Sequence, residues 1–141
     1  MTAGPGGYRL EDQIGFQLRR ASQRHGAIFA AHMVADLTPT QWAALVKLAE
    51  RETVSQNLLG RETAMDAATI KGVVDRLQRR RLVETRPDPE DGRRMLIAVT
   101  PEGKRLVEDG ISRGLMISAE TLNPLKPAEQ KRLLDLLRRI A

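Results

Sequence analysis

Apolar residues in the first part of the chain recur at the three- and four-residue spacing of a helix. This spacing predicts a long first helix from Leu10 to about Val34. Residues 1–8 are rich in glycine and other small residues, so we expect a flexible N-terminus there. The helical stripe consists of Ile14, Leu18, Ala21 and Ile28, with His25 and His32 on the same stripe.

Capping residues mark the next two helices. Thr38 precedes Pro39 and lies three residues before Gln41, which is the pattern of a capping box with proline at the first helical position. We expect this second helix to end near Glu50. Ser55 is a suitable N-cap for a short third helix that ends near residue 62.

Asp66 is a suitable N-cap for a further helix whose two faces differ in chemistry. Two helices joined by a three- or four-residue turn, with small and polar residues outward on the second, are typical of a helix-turn-helix. The pattern therefore favours that motif here. The inward positions are Ile70, Val73, Val74 and Leu77, and the outward positions are Ala68, Gly72, Asp75 and Arg79.

The hydrophobic period changes after this helix. Leu82–Arg86 and Met95–Val99 are short β-prone runs, and the segment between them, rich in Pro, Asp and Gly, predicts a hairpin loop. Two further helices should begin at Thr100-Pro101-Glu102 and near Pro127, and the last is rich in leucine. The predicted fold class is mainly α with a small β-wing, a winged helix-turn-helix, and the leucine-rich last helix favours a partner.

The composition excludes several classes of site. The chain has 141 residues, enough for one domain, and no cysteine, which excludes disulfides, thiol redox sensors, cysteine-ligated zinc and cysteine nucleophiles. Two histidines at helical spacing, without a third catalytic partner, lead us to expect no metal, no cofactor and no enzymatic activity. Without a long apolar run or a signal-peptide pattern, we expect no membrane insertion and a cytoplasmic location.

The charge balance favours a polyanionic partner, with a solvated basic surface as the alternative interpretation. Lys and Arg number 23 against 18 Asp and Glu, for a formal net charge of +5. The imbalance is strongest between residues 13 and 35, where there is no acidic side chain. The arginines and histidines of this stretch are Arg19, Arg20, Arg24, His25 and His32.

Three segments of the chain resemble the MarR family of bacterial transcription regulators, and the resemblance extends from about residue 10 to the end. They are LTPTQWAALVKL, ATIKGVVDRLQRRRLVE and RPDPEDGRRMLIAVTPEGKRL. Arg81 departs from the pattern, because family members commonly have glycine there, and a left-handed conformation at this residue costs about 1 kcal/mol. The most specific feature is a combination: a recognition-helix pattern running into Leu82-Val83, an Asp-x-Arg wing at Asp91 and Arg93, and Thr-x-x-Gly at Thr100 and Gly103.

The resemblance implies a homodimer that binds a pseudo-palindromic operator in double-stranded DNA and acts as a ligand-responsive regulator, in particular a repressor. Residues 9–36 and 101–141 are then dimerisation helices, and residues 37–100 form the winged helix-turn-helix lobe of one intertwined domain. The stretch Leu18–His25 is similar to the branch of the family that senses aromatic acids or their coenzyme A thioesters. A small anionic effector of that kind is therefore expected to release the DNA.

The same resemblance assigns DNA contacts to the wing and to the outer face of the recognition helix. Arg93 is expected to enter the minor groove, Asp91 to orient an arginine, and Arg94 to contact a phosphate. The alternatives are an ordinary Asp-Gly turn and a solvated helix face. The helix candidates for the major groove are Ala68, Thr69, Lys71, Gly72 and either Asp75 or Arg76.

The arginine-rich first helix is the candidate effector site. Arginine offers a forked pair of donors to a carboxylate or phosphate, and a tryptophan on the following helix adds a flat apolar wall. Alternatively, the arginines pair with acids of the partner subunit or face water, and the histidines are partly buried dimer residues. The effector-binding candidates are Arg19, Arg20, His25 and Trp42.

A second function is compatible with the same fold. A winged helix also serves as a protein-interaction module or as a nonspecific chromosome-associated DNA-binding protein. The small outward residues of the recognition helix, together with Arg93 in the wing, favour sequence-specific reading of DNA.

Overall fold

The computed structural model describes residues 4–141, which form six α-helices and one three-stranded antiparallel sheet. The predicted fold class, mainly α with a small β-wing, is confirmed. The predicted flexible N-terminus lies outside the described residues at positions 1–3, and Pro5–Gly7 forms a 3-10 turn. The helices are α1 Ile14–His32, α2 Pro39–Glu50, α3 Gln56–Glu62, α4 Ala67–Arg79, α5 Pro101–Leu122 and α6 Pro127–Ile140. The strands are β1 Val54–Ser55, β2 Val83–Pro87 and β3 Met95–Val99.

The chain folds as two compact units. The central unit, Met33–Arg113, contains α2, α3, α4, the sheet and the first part of α5. The terminal unit combines the segment that ends at His32 with Gly114–Ala141, and so contains α1, the second part of α5, and α6. The division between the units therefore falls within α5.

Side-chain caps set the first residues of α2 and α3, as predicted. Thr38 Oγ1 accepts a hydrogen bond from the backbone N–H of Gln41, and the Gln41 side-chain oxygen accepts one from the N–H of Thr38, both at 3.2 Å. Ser55 Oγ accepts a hydrogen bond from the N–H of Leu58 at 3.3 Å. Each contact satisfies backbone donors that have no partner within the helix.

The first helix is shorter than predicted at both ends. The apolar spacing runs through Leu10, but Leu10–Asp12 forms a separate 3-10 turn and Gln13 is extended, so α1 begins at Ile14. The Gln13 side-chain amide donates to the carbonyl of Arg9 at 3.0 Å, which stabilises this interruption. At the other end Met33 is extended, and the helix stops at His32.

The end of α4 requires a left-handed residue, and Arg81 adopts that conformation with a φ of 60°. The N–H of Arg81 donates to the carbonyl of Gln78 at 2.9 Å, and the N–H of Leu82 donates to that of Leu77 at 3.0 Å. These two bonds form a Schellman motif, which satisfies carbonyls of the last helical turn. The fold therefore accepts arginine at a position where glycine costs less.

The sheet has the order β1-β3-β2, with β3 in the centre. Ile97 of β3 lies opposite Thr85 of β2 on one side and Val54 of β1 on the other. The hairpin of β2 and β3 was predicted, although β2 begins at Val83, one residue later than expected, and extends to Pro87. Strand β1 was not predicted, because two residues are too few to show a period.

Two glycines of α5 allow other parts of the central unit to approach the helix closely. A Cβ atom on Gly103 would lie 2.3 Å from the carbonyl oxygen of Leu82, and one on Gly110 would lie 2.5 Å from Trp42 Cζ3. Thr100 caps the same helix, because its Oγ1 accepts a hydrogen bond from the N–H of Gly103 at 3.1 Å. The Thr-x-x-Gly motif thus joins a helix cap to a close packing contact.

Candidate nucleic-acid interface

Helix α4 presents an apolar face to the core and a second face to solvent. Its start is set by Asp66, whose Oδ1 accepts a hydrogen bond from the backbone N–H of Thr69 at 2.7 Å. Hydrogen bonds from the N–H and then the side chain of Thr69, and a weaker one from the N–H of Ala68, hold the pKa of the Asp66 carboxyl below its ordinary value. As predicted, the buried face consists of Ile70, Val73, Val74 and Leu77.

The predicted DNA-reading residues of α4 lie on its accessible side. Lys71 Nζ pairs with Asp75 Oδ2 at 3.0 Å, one turn along the helix. A Cβ atom on Gly72 would lie 3.3 Å from Arg76 Nη1, so the Arg76 guanidinium folds back beside this glycine. The positively charged Arg76 side chain therefore lies on the outer surface of the helix beside Gly72, which has no side chain of its own. Ala68, Thr69, Lys71 and Arg76 are exposed, and Gly72 is half-buried.

The wing carries two arginines, each beside an aspartate. Arg93 is 95% exposed, its Nε lies 3.5 Å from Asp91 Oδ1, and its backbone N–H donates to the same oxygen at 3.1 Å. Arg94 Nε lies 3.9 Å from Oδ2 of Asp88, which is 13% exposed. Asp91 thus contacts Arg93, the arginine that it is predicted to orient, and Asp88 pairs with the neighbouring Arg94.

A cleft of about 460 Å³ separates the wing from α3. Two of the residues that line it, Asn57 and Arg61, lie one turn apart on α3. The sequence did not single them out, although their four-residue spacing on an exposed helix face was a usable signal. The polar residues of the cleft are Ser55, Gln56, Asn57, Arg61, Arg93 and Arg94.

The predicted effector residues belong to different units. On α1, Arg19 and Arg20 are exposed, and the Arg20 guanidinium lies 5.8 Å from the centre of the Phe16 ring. His25 is half-buried and its Nδ1 lies 2.8 Å from Thr121 Oγ1. Trp42 belongs to the central unit, where its ring packs against Gly110 of α5, as described above.

Two other basic side chains of α1 contact the end of α5 within the terminal unit. Arg24 donates to the carbonyl oxygens of Thr121 and Glu120 at 2.7 and 3.0 Å, in the last turn of α5. His32 Nε2 lies 2.7 Å from Glu120 Oε2. These contacts are made within one chain, whereas the side chains of Arg19 and Arg20 make no hydrogen bond or ion pair within residues 4–141.

Two kinds of feature are absent from residues 4–141. No three histidine, aspartate or glutamate side chains there come close enough together to hold a metal ion. No helix in that part of the chain is long and apolar enough to cross a membrane.

Comparisons with known proteins point to DNA-binding regulators. A family model described as MarR family matches residues 35–94. The transcriptional repressor NicR of Pseudomonas putida KT2440 is 37% identical over 134 residues, which cover 94% of this chain and 85% of NicR.

Solved structures agree with the sequence matches. A probable transcriptional regulator from Pseudomonas aeruginosa is 52% identical, with a TM-score of 0.91 over 94% of this chain and 100% of that one. BpsR of Bordetella bronchiseptica is 38% identical, with a TM-score of 0.90 over 97% of each chain. The DNA binding of BpsR is described as regulated by 6-hydroxynicotinic acid.

Proposed function

Since the chain belongs to the MarR family of transcription regulators, we propose that it is a repressor that binds a pseudo-palindromic operator as a homodimer and is released by a small aromatic acid. The observation that carries the proposal is the pairing, within one unit, of an accessible recognition helix with a fully exposed wing arginine, Arg93. Recognition helices read the major groove, and an arginine at a wing tip suits the narrow minor groove. The similarity to NicR, a transcriptional repressor, supports repression rather than activation.

The proposed dimer rests on the apolar surface of the terminal unit. Leu115 and Ile140 are 69% and 68% exposed, and an apolar groove on α6 is lined by Leu125, Leu133 and Leu136. Exposed apolar side chains of this density are unfavourable in water and are typical of an interface. A second copy of the chain would cover them and place two copies of α4 on successive half-sites of one operator.

The proposed effector is an aromatic carboxylate bound by the solvent-exposed side chains of Arg19 and Arg20 on α1. A guanidinium binds a carboxylate through two parallel hydrogen bonds, and Arg19 has no polar partner within residues 4–141. The regulation of BpsR by 6-hydroxynicotinic acid supports this chemical class. An aromatic acyl-coenzyme A thioester is a larger anion of related chemistry, and Trp42 stays a predicted contact for either ligand.

The proposed switch needs two dimer states with different affinities for the effector. If the effector binds more tightly to the state whose recognition helices miss successive major grooves, operator affinity falls as that state becomes populated. By linkage, a saturating effector lowers operator affinity by the same factor by which bound operator lowers effector affinity.

Fluorescence anisotropy with the DNA upstream of the protein's own gene tests the proposal directly. We expect tight binding that resists scrambled competitor, that weakens steeply with salt, and that an aromatic acid reverses. Equal affinity for scrambled DNA would instead support a nonspecific chromosome-associated protein, and no binding to any duplex would support a protein-interaction module. A panel of aromatic acids and their coenzyme A thioesters that leaves DNA affinity unchanged would contradict the effector assignment.

Arg19→Gln combined with Arg20→Gln tests the effector site separately. The pair should weaken effector binding while leaving operator binding by the unliganded protein intact, because both residues lie on α1 of the terminal unit. Arg105→Gln on α5 removes a comparable exposed charge from the central unit and serves as the control.

A further inference from the structure

The cleft between α3 and the wing has the chemistry of a phosphate site. Three arginines line it, together with the amide side chains of Gln56 and Asn57, and within residues 4–141 no carboxylate side chain is among its lining residues. A second cavity of the central unit, of about 560 Å³, differs in this respect, because Glu102 and Asp109 share it with arginines. The cleft beside the wing is therefore the one suited to an anion.

Arg61 and Asn57 also border a second depression, of about 210 Å³, that extends to the start of the recognition helix. Its lining includes Ala67, the first residue of α4. The two side chains on α3 thus lie between the recognition helix on one side and wing residues Arg93 and Arg94 on the other.

The geometry of duplex DNA indicates what Arg61 and Asn57 would contact in this position between α4 and the wing. Neighbouring major and minor grooves of a duplex are separated by one sugar-phosphate strand. If α4 enters a major groove and the wing enters the adjacent minor groove, the surface between them faces that strand. We propose that Arg61, assisted by Asn57 and Arg94, clamps a backbone phosphate of duplex DNA in this cleft. The inference rests on the proposed DNA binding and adds α3 to the interface.

The Arg61 guanidinium is available for this contact. The neighbouring acid, Glu62, pairs with Arg51 at the end of α2. Asp91 and Asp88 lie beside the two wing arginines, and within residues 4–141 no ion pair or hydrogen bond involves the Arg61 side chain. A planar guanidinium with unsatisfied donors binds a phosphate through two parallel hydrogen bonds.

A phosphate contact makes a distinctive prediction for Arg61→Gln. Affinity should fall by the same factor, roughly tenfold, for operator and scrambled duplexes, because the backbone carries no sequence information. Because the proposed homodimer carries one Arg61 in each half-site, the slope of log affinity against log salt should decrease by about two. Arg105→Gln, which removes the same charge from another cavity of the central unit, should leave both quantities nearly unchanged.

Neutral methylphosphonate groups, placed one at a time along the operator, locate the phosphate. Wild-type protein should lose affinity when the phosphate that faces the cleft is neutralised. Arg61→Gln should lose much less at that position, because only the assisting contacts of Asn57 and Arg94 remain to be removed. Arg61→Lys should retain the salt slope and part of the affinity, because it keeps the charge without the forked donor pair. Thermal melting, followed by circular dichroism, shows whether each variant is folded.

Each alternative result has one meaning. Unchanged affinity and salt slope in folded Arg61→Gln, with wild-type protein binding normally, would overturn the clamp. A loss confined to the operator would also overturn it, because Arg61 would then read bases. Absence of DNA binding by wild-type protein would instead overturn the proposed function, before any variant is tested.

Discussion

The two units of the molecule differ in how completely they bury their apolar side chains. The central unit buries most of its large aliphatic side chains, and several of them are fully buried, among them Leu45, Leu77 and Ile97. Among the described residues, the terminal unit buries two apolar side chains, Phe29 and Ile117, and leaves many others exposed. A unit with a closed core can be stabilised by its own chain, whereas one with an open apolar surface needs a second chain to remove that surface from water. We therefore expect the central unit to bind DNA and the terminal unit to form the dimer.

The largest expected effect comes from opening the closed core. Leu45→Ala should lower the free energy of unfolding by about 2–5 kcal/mol, because it leaves a cavity where Leu45 is fully buried. The loss should be present at every protein concentration. Leu115→Ala is the matched variant in the terminal unit, and its effect should depend on concentration, since a dimer dissociates on unfolding. Urea titrations at several protein concentrations measure whether each destabilisation depends on concentration. The same dependence for both variants would contradict the contrast between the two units.

A charge placed on the open surface should disrupt assembly. Leu115→Asp is expected to weaken dimerisation by about 2–3 kcal/mol, the value of burying a leucine side chain, and to reduce operator affinity as a consequence. Sedimentation equilibrium measures the dimer dissociation constant, and circular dichroism checks that the helices persist. Glu108→Asp, a conservative change at an exposed position of the same helix, is the control. An unaltered dissociation constant would mean that this part of α5 does not form the interface.

The wing should be separable from assembly. Arg93→Ala is expected to lower operator affinity by about 1–3 kcal/mol at physiological salt, the usual scale of a good base contact, without changing the dimer dissociation constant. Anisotropy titration measures the first quantity and sedimentation the second. Unchanged operator binding would rule out the minor-groove assignment, and a change in dimerisation would show that the two units are not functionally distinct.

The smallest expected effect is the loss of one helix cap. Asp66→Ala should lower the melting temperature, because the first turn of α4 loses an acceptor. The pKa of folded Asp66 is lowered by hydrogen bonds from Thr69, so this stabilisation is complete above the ordinary carboxyl pKa and is lost as the pH falls through the lowered value. The melting temperatures of wild type and variant should therefore converge in strong acid. Asp66→Asn retains an acceptor that does not titrate, and a constant difference from Asp66→Ala at every pH is expected for it.

Local signals predicted the elements of the central unit well. Thr38, Ser55 and Asp66 each cap a helix through their own side chain, and such contacts span only three residues. These features depend on neighbours in sequence, which a single chain displays directly.

Features that depend on distant parts of the chain were not predictable in the same way. The partner of His25 is Thr121, 96 residues away, and no spacing within α1 indicates it. Arg61 reaches the wing cleft because β1 pairs with β3, and β1 is too short to be recognised. The interruption of α1 at Gln13 occurs within an unbroken apolar stripe, so periodicity alone extended the helix too far.

The contact between Trp42 and Gly110 has a practical consequence. Trp42 is the one tryptophan in the sequence, and its ring rests on the backbone of α5 where a larger residue would not fit. The emission of an indole depends on the polarity and proximity of the groups around it. Tryptophan fluorescence of the unlabelled protein is therefore sensitive to changes at the contact between α2 and α5 and to a ligand bound beside the ring, and such changes can be followed without attaching a dye.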